Sequence, residues 1–330
     1  FYLQVFEGEK FTARSERNSF KKENITPLRG AIYDSAGTAL AWNGEEGRMY
    51  ADIPGLGHIL GYTGLPSKED FKKKPDISSE NMVGKDGIEE KYEELLGGNS
   101  GIKLTERDSQ GNTVSESVQF VPQNGQNLTL TIDSKVQSYL YAAMESVVKE
   151  RDFEGGAAVV LDVSSGNILA MTSVPEYSSK VLSEGGPEDL INGYINNKNK
   201  PFINRAISGL YAPGSVVKPF VALAALSEGI ISPEKKIFSA GQISIPNPFF
   251  PDKKTIFKDW KAHGWVDMRQ ALAVSSDVYF YEIGGGFEDI KGLGINKIYE
   301  YAKKFGLGEK TGIDLLGEAE GTVPSPQVKE

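Results

Sequence analysis

Ala212-Pro213-Gly214-Ser215-Val216-Val217-Lys218-Pro219-Phe220-Val221-Ala222-Leu223-Ala224-Ala225-Leu226 reads as a turn that opens a helix apolar on nearly every side. Proline at 219 is tolerated so early, because first-turn N–H groups have no intrahelical acceptor. A helix with so little polar surface has to be buried, so a core helix is predicted over 215–228. Lys218 is the one charge in that wall.

Upstream, Asn127-Leu128-Thr129-Leu130-Thr131-Ile132 alternates polar with apolar, as a half-buried strand does. Asp133-Ser134 follows as an N-cap, and Val136, Leu140, Ala143 and Val147 recur at i, i+4, i+7 and i+11, the stripe of an amphipathic helix. Runs over 157–162 and 167–173, joined by Val163-Ser164-Ser165-Gly166, predict a hairpin. Downstream, 267–283 reads as helix interrupted near Ser275-Ser276-Asp277. Residues 1–130 hold glycine, charge and short apolar runs without long helical periodicity. They predict an irregular, β-leaning region with one helix over 87–96. The fold class is therefore α+β or α/β and multidomain, with a boundary near Gln126: an N-terminal domain over 1–126 and a second over 127–330.

The chain has 330 residues, 39% hydrophobic and 25% charged, enough for two domains with real cores. A net charge of −9 argues against nucleic acid as a partner. With no cysteine and only two histidines, His58 and His263, thiolate chemistry, a multi-His metal site and a His-based triad are out of reach. No run of about 18 apolar residues spans a bilayer. The apolar-leaning start Phe1-Tyr2-Leu3-Gln4-Val5-Phe6 lacks Met, so a removed signal peptide or membrane anchor is expected before it.

Without His or Cys, an activated nucleophile needs another base, and a serine with a lysine one helical turn on supplies it. Spacing i, i+3 sets both side chains on one helix face, about 5–6 Å apart at Cβ. A serine at a helix start also has free N–H groups for a developing oxyanion. Ser-x-x-Lys occurs at Ser19/Lys22, Ser100/Lys103, Ser215/Lys218 and Ser232/Lys235. The first two lie in charged or glycine-rich stretches, and Ser232-Pro233 reads as a structural N-cap. Only Ser215 opens a buried helix, although a plain N-cap with a snorkelling lysine would look the same. Ser275-Ser276-Asp277 is a second element: Ser275 can relay a proton, and Asp277 can hold Lys218 or a substrate amide. The bland reading is an N-cap, Ser276 or Asp277, for the helix that follows.

Together these elements resemble the class B penicillin-binding proteins, and the match runs along almost the whole chain. Arg29-Gly30-Ala31-Ile32-Tyr33-Asp34 through Leu40-Ala41-Trp42-Asn43, His58-Ile59-Leu60-Gly61-Tyr62-Thr63-Gly64, and Gly84-Lys85-Asp86-Gly87-Ile88-Glu89-Glu90-Lys91-Tyr92 through Leu96-Gly97-Gly98 are similar to the three motifs of the family's N-terminal pedestal. Leu130-Thr131-Ile132-Asp133 with Gln137, then 156–175, resembles the start of its transpeptidase domain. Asn204-Arg205-Ala206 and Pro213-Gly214-Ser215-Val216-Val217-Lys218 resemble the nucleophile segment.

The resemblance implies a β-rich pedestal followed by a partial penicillin-binding, β-lactamase-like domain. It implies a peptidoglycan D,D-transpeptidase, also acylated by β-lactams, with Ser215 as nucleophile, Lys218 as base, and Ser275 and Asp277 as the second motif. No metal or organic cofactor is implied. The implied partners are stem peptides, β-lactams and a membrane-embedded glycan polymerase of the shape, elongation, division and sporulation family. The implied place is the extracytoplasmic side of the bacterial inner membrane, on an N-terminal anchor helix. Asp277 stands where the family usually has Asn, closer to its elongation branch. A β-lactamase or carboxypeptidase shares the Ser-x-x-Lys chemistry but not the pedestal motifs, and a non-catalytic scaffold of a wall-building complex is the alternative from another class.

Lys310-Thr311-Gly312 spells the family's third motif, yet it follows Asp277 by only 33 residues, in a Gly-Leu-Gly turn after a helix ending near Phe305. It is therefore expected to be a connection, with the true third motif missing and the catalytic domain cut at Glu330, so that this 330-residue chain is expected to be poorly active or inactive. A long pedestal insertion is skipped at Asn43-Gly44, where a break in the chain is expected.

Overall fold

In the N-terminal part, short alternating runs give short strands. They are β1 (Phe20–Ile25), β2 (Ile32–Tyr33), β3 (Ala39–Gly44), β4 (Gly47–Tyr50), β5 (Gly101–Arg107), β6 (Thr113–Phe120) and β7 (Leu128–Thr129). The computed structural model describes residues 20–329 except 46, 76, 109, 111, 248 and 251. The apolar start of the chain and the Ser19/Lys22 pair thus fall outside, or half outside, the described residues. One antiparallel sheet has the order β1-β5-β6, and a second has the order β4-β3-β2-β7, with β2 and β7 parallel. Only Leu128–Thr129 of the run expected over 127–132 joins a ladder. Asn43 and Gly44 are consecutive residues of β3 and pair with Arg48 and Gly47 across a tight hairpin.

What closes this region is a buried ion cluster. The Glu89 side chain is fully buried; its carboxylate accepts from Arg29 Nε at 2.6 Å and Arg48 Nε at 2.7 Å. Arg29 also donates to Glu93 at 2.7 Å, and Gly84 N donates to the same Glu93 oxygen at 2.8 Å. The helix expected over 87–96 accordingly breaks at Tyr92 into Gly87–Lys91 and Glu93–Leu96, and Glu93 beyond the break reaches these donors. Gly61 and Gly87, both at positive φ, let two chain segments cross: a Cβ on Gly87 would lie 2.5 Å from Gly61 N. That crossing is why two separate motifs each need a glycine.

Helix α1 (Ser134–Glu150) starts at Asp133, whose carboxylate accepts from Lys135 N and Val136 N. Its inward stripe differs from the expected one. Gln137 is fully buried, whereas Ala143 and Val147 face solvent. Gln137 acts as a backbone substitute: Nε2 donates to Gly55 O (2.6 Å) and Met171 O (2.8 Å), and Oε1 accepts from Met171 N (2.8 Å). A buried amide with all these partners satisfied is as good an interior group as a leucine, so hydrophobic periodicity misplaced the stripe. Met144 and Val148 continue it against Gly156 of the hairpin β8 (Gly156–Leu161) and β9 (Ile168–Val174). Glu176, just past β9, accepts from Gly55 N and Gly57 N. These bonds explain why contacts divide the chain at Gly209/Leu210, with Asp314–Gly317 counted in the first unit.

The second unit holds two antiparallel ribbons, β10 (Ile237–Ser239) with β13 (Gly264–Val266) and β11 (Gln242–Pro246) with β12 (Lys254–Lys258). Around them pack α2 (Lys218–Ser227), α3 (Met268–Ala273), α4 (Asp277–Gly285) and α5 (Gly294–Lys304). Ala222, Ala224 and Ala225 of α2 meet Met268, Ala271, Tyr279 and Ile283 in one core. After α5, Gly306 at positive φ closes a Schellman cap, with Leu307 N donating to Ala302 O and Gly306 N to Lys303 O. Lys310-Thr311-Gly312 lies in the loop beyond, not on a strand, where Thr311 N, Thr311 Oγ1 and Gly312 N donate to Glu318. No described helix is long and apolar enough to cross a membrane.

Replacing Glu89 by Gln leaves two buried guanidinium groups facing a neutral amide. The expected loss is about 3–5 kcal/mol of stability in the first unit, read from urea unfolding; a loss under about 1 kcal/mol would show the cluster to be dispensable.

Candidate active site

The turn before Ser215 is set by Pro213 in helical geometry and Gly214 at positive φ. Gly214–Val217 then form a 3₁₀ turn, and α2 proper begins at Lys218. Ser215 stands one 3₁₀ turn before Lys218 in the chain, and no hydrogen bond joins the two side chains. Ser215 is exposed, and its hydroxyl has no hydrogen-bond partner among the described residues. Lys218 is only 8% exposed.

The structure gathers Lys218, Ser275 and Asp277. Lys218 Nζ donates to Ser275 O at 2.7 Å, Ser275 Oγ at 3.0 Å and Asp277 Oδ1 at 2.6 Å. The Phe280 ring centroid lies 5.7 Å from Nζ, within cation–π range. Three N–H bonds thus meet three acceptors. The acceptors are presented by the break between α3 and α4. There Ser275 takes φ +54°, a left-handed conformation unusual for a residue with a Cβ. Ser276 caps α4 through Tyr279 N, so the capping role and the Lys218 contacts belong to adjacent residues of one turn.

Sequence reasoning missed Asp259. Its carboxylate accepts from Ser276 Oγ (2.8 Å), Val278 N (3.0 Å), Ser239 Oγ (3.2 Å) and Trp260 N (2.8 Å). Trp260 in turn donates its indole N–H to Val274 O at 3.1 Å. Asp259 therefore fixes the turn from behind while Lys218 fixes it from in front. Burial alone would raise its pKa, but the bonds from Val278, Ser276 and neighbouring amides hold it at about 2. Its sequence signal is a lone acid at the end of an alternating strand, and nothing local ties it to a turn 17 residues on.

Two of the other Ser-x-x-Lys pairs are put to structural use, and Ser19 of the third lies outside the described residues. Ser100 Oγ accepts from Asn81 Nδ2, while Lys103 pairs with Glu116. Ser232 does not cap a helix as expected: its carbonyl closes a turn with Lys235 N, and Lys235 pairs with Asp289.

Two acids near α4 should titrate with opposite effect on stability. Asp259, held down at about 2, contributes stability that is complete above about pH 3.8 and lost as pH falls through about 2. Glu282 is buried beside Glu288 and Asp289; burial first and those charges second push it up to about 7. Its contribution is complete below about pH 4.5 and lost as pH rises through about 7. Glu282→Gln should abolish the fall in urea midpoint between pH 5 and 8, and Asp259→Ala should blunt the loss below pH 4; unchanged profiles would contradict these assignments.

Two family profiles match the chain: penicillin binding protein transpeptidase domain over residues 156–330 and penicillin-binding protein dimerisation domain over 44–130. The peptidoglycan D,D-transpeptidase MrdA of Escherichia coli K12 is 31% identical over 94% of this chain and 48% of its own length. The chain thus spans about half the length of the curated relatives it matches. Pseudomonas aeruginosa PBP2, solved in complex with WCK 5153, is 31% identical with a TM-score of 0.70, over 92% of this chain and 61% of that one. Helicobacter pylori PBP2, solved with MreC, is 25% identical with a TM-score of 0.77, over 94% and 69%.

Proposed function

The chain belongs to the penicillin-binding protein transpeptidase family, and from that premise we propose that it carries the acylation machinery of a peptidoglycan D,D-transpeptidase. The observation that supports this is the buried Lys218 ammonium, one turn from an exposed serine hydroxyl and bound to the Ser275–Asp277 turn. An amine at Nζ keeps two donated bonds, to Ser275 O and Asp277, and turns its lone pair to Ser215 Oγ. It then takes the hydroxyl proton as Oγ attacks the carbonyl carbon of the penultimate D-Ala. Free N–H groups at the start of the 3₁₀ turn face the developing oxyanion. The C–N bond to the terminal D-Ala breaks, and Ser275 relays the proton from Nζ to the departing amine. An amine from a second stem peptide then attacks the ester and restores the Ser215 hydroxyl. A β-lactam opens its ring on the same hydroxyl.

The functional division follows the sequence: a pedestal over 1–126 and a transpeptidase domain over 127–330. MrdA relatives place the chain in the bacterial cell envelope. Its extracytoplasmic side, stem peptides as substrates and a glycan polymerase as partner complete the reading, and the Helicobacter pylori relative's complex with MreC supports a protein partner.

Fluorescent penicillin tests this reading. A folded chain that carries the whole transpeptidase domain, third motif included, should be labelled covalently and its Ser215→Ala variant not at all. Lys218→Met should slow labelling at least about 10²-fold, while Asp277→Asn, which retains an acceptor, should stay within about tenfold. Should such a chain take no label, the non-catalytic scaffold stands in its place.

A further inference from the structure

Residues 249–261 carry four lysines in a chain of net charge −9. None of Lys253, Lys254, Lys258 and Lys261 enters an ion pair among the described residues. Of the two acids in this stretch, Asp259 is consumed by internal donors, which leaves Asp252 alone to offset them. The segment is the β11–β12 arm with its tip and base. One face of the arm is pinned inward: Ile243 is buried, and its partner Phe257 packs on Tyr281 with ring centroids 5.6 Å apart. Alternation then sends Lys254, Ile256 and Lys258 outward, with the two lysines about 13 Å apart at four strand residues.

Asn247 Oδ1 accepts from Phe249 N and Phe250 N, and Asn247 N donates to Lys253 O. Even so, Phe249 is 84% and Phe250 60% exposed. At the base, Trp260 is 62% exposed although its indole N–H is tied to Val274 O, next to Ser275. Lys253 Nζ lies over the Phe250 ring at 5.2 Å and Lys261 Nζ over the Trp260 ring at 4.5 Å, so these pairs present a cation stacked on an aromatic ring, a surface that suits an anionic ligand with flat apolar faces. Sugar rings bearing acidic peptides answer that description.

We propose that this arm binds an un-cross-linked peptidoglycan strand, its lysines meeting stem-peptide carboxylates and its aromatic residues meeting sugar rings, and guides the strand to the Ser275 turn. The identity of the polymer rests on the transpeptidase reading; the anion-and-aromatic surface does not. The position of Trp260 and Lys261 beside Val274 favours a polymer that has to reach Lys218 over a lipid surface, which would need only the tip.

Binding is measured by fluorescence anisotropy of labelled, soluble glycan–pentapeptide oligomers on the Ser215→Ala chain, at about 50 and about 200 mM salt. Lys254→Glu with Lys258→Glu should weaken binding at least about tenfold at low salt and flatten its salt dependence. Oligomers with amidated carboxylates should bind the unsubstituted arm as weakly, a result that no folding defect can mimic. In a chain that keeps Ser215 and carries the whole transpeptidase domain, the same double substitution should leave the rate of penicillin labelling unchanged. Equal affinity for the substituted and unsubstituted arms overturns the proposal. So does lysine-dependent binding to phosphatidylglycerol vesicles when oligomer binding ignores the lysines. Failure of chains that carry the whole transpeptidase domain to take penicillin sinks the transpeptidase reading instead, and leaves the arm's anion binding to be judged on the oligomers.

Discussion

An ammonium group removed from water is tolerated only where other atoms replace the lost hydration. Lys218 meets that condition through three acceptors, and all three come from one short break between α3 and α4. The constraint runs in both directions. Helix α2 has an interior charge at its first residue only because the break supplies a carbonyl, a hydroxyl and a carboxylate. The break keeps its unusual backbone because a cation and, behind it, the Asp259 carboxylate hold it on both sides. The two carboxylates have separate partners: Asp259 is held by four neutral donors with His263 Nε2 3.4 Å away, and Asp277 by Lys218. Asp277 thus pairs with the cation without a second carboxylate competing for it.

Much of this arrangement was legible from local pattern. The Pro-Gly turn before Ser215, the apolar run after it and the polar interruption at 275–277 are short-range signals that gave a turn, a helix and a break, although the helix begins at Lys218 and is buried on one side only, with Leu223 and Leu226 exposed. The signals failed where a polar residue did the work of an apolar one or where partners are far apart in sequence. Gln137 is invisible to a hydrophobic period, because its amide earns its interior place through bonds to Gly55 and Met171. Glu89 looked like an ordinary helix-face acid until Arg29 and Arg48, 60 and 41 residues away, closed on it. Asp259 escaped for the same reason. The pattern of a sequence reports which face of an element is greasy; it does not report which buried charge meets which.

Identical short strings carried different chemistry in this chain. Ser-x-x-Lys at 100 and 232 serves a hydrogen bond, a turn and two surface ion pairs. Lys310-Thr311-Gly312 folds its amides onto Glu318. At 215 the same tetrad stands at the mouth of a core helix, and that setting alone gives the lysine partners in the interior. A motif is therefore a statement about composition, and burial decides what the composition does.

Ser275 sits at φ +54°, a region where a side chain costs about 1–2 kcal/mol and glycine costs almost nothing. Drift under selection for foldability alone would push that position towards glycine and strip away the hydroxyl that faces Lys218. A serine at 275 is therefore a gauge of purpose: a descendant chain that had lost its chemistry but kept its architecture would be free to relax there first.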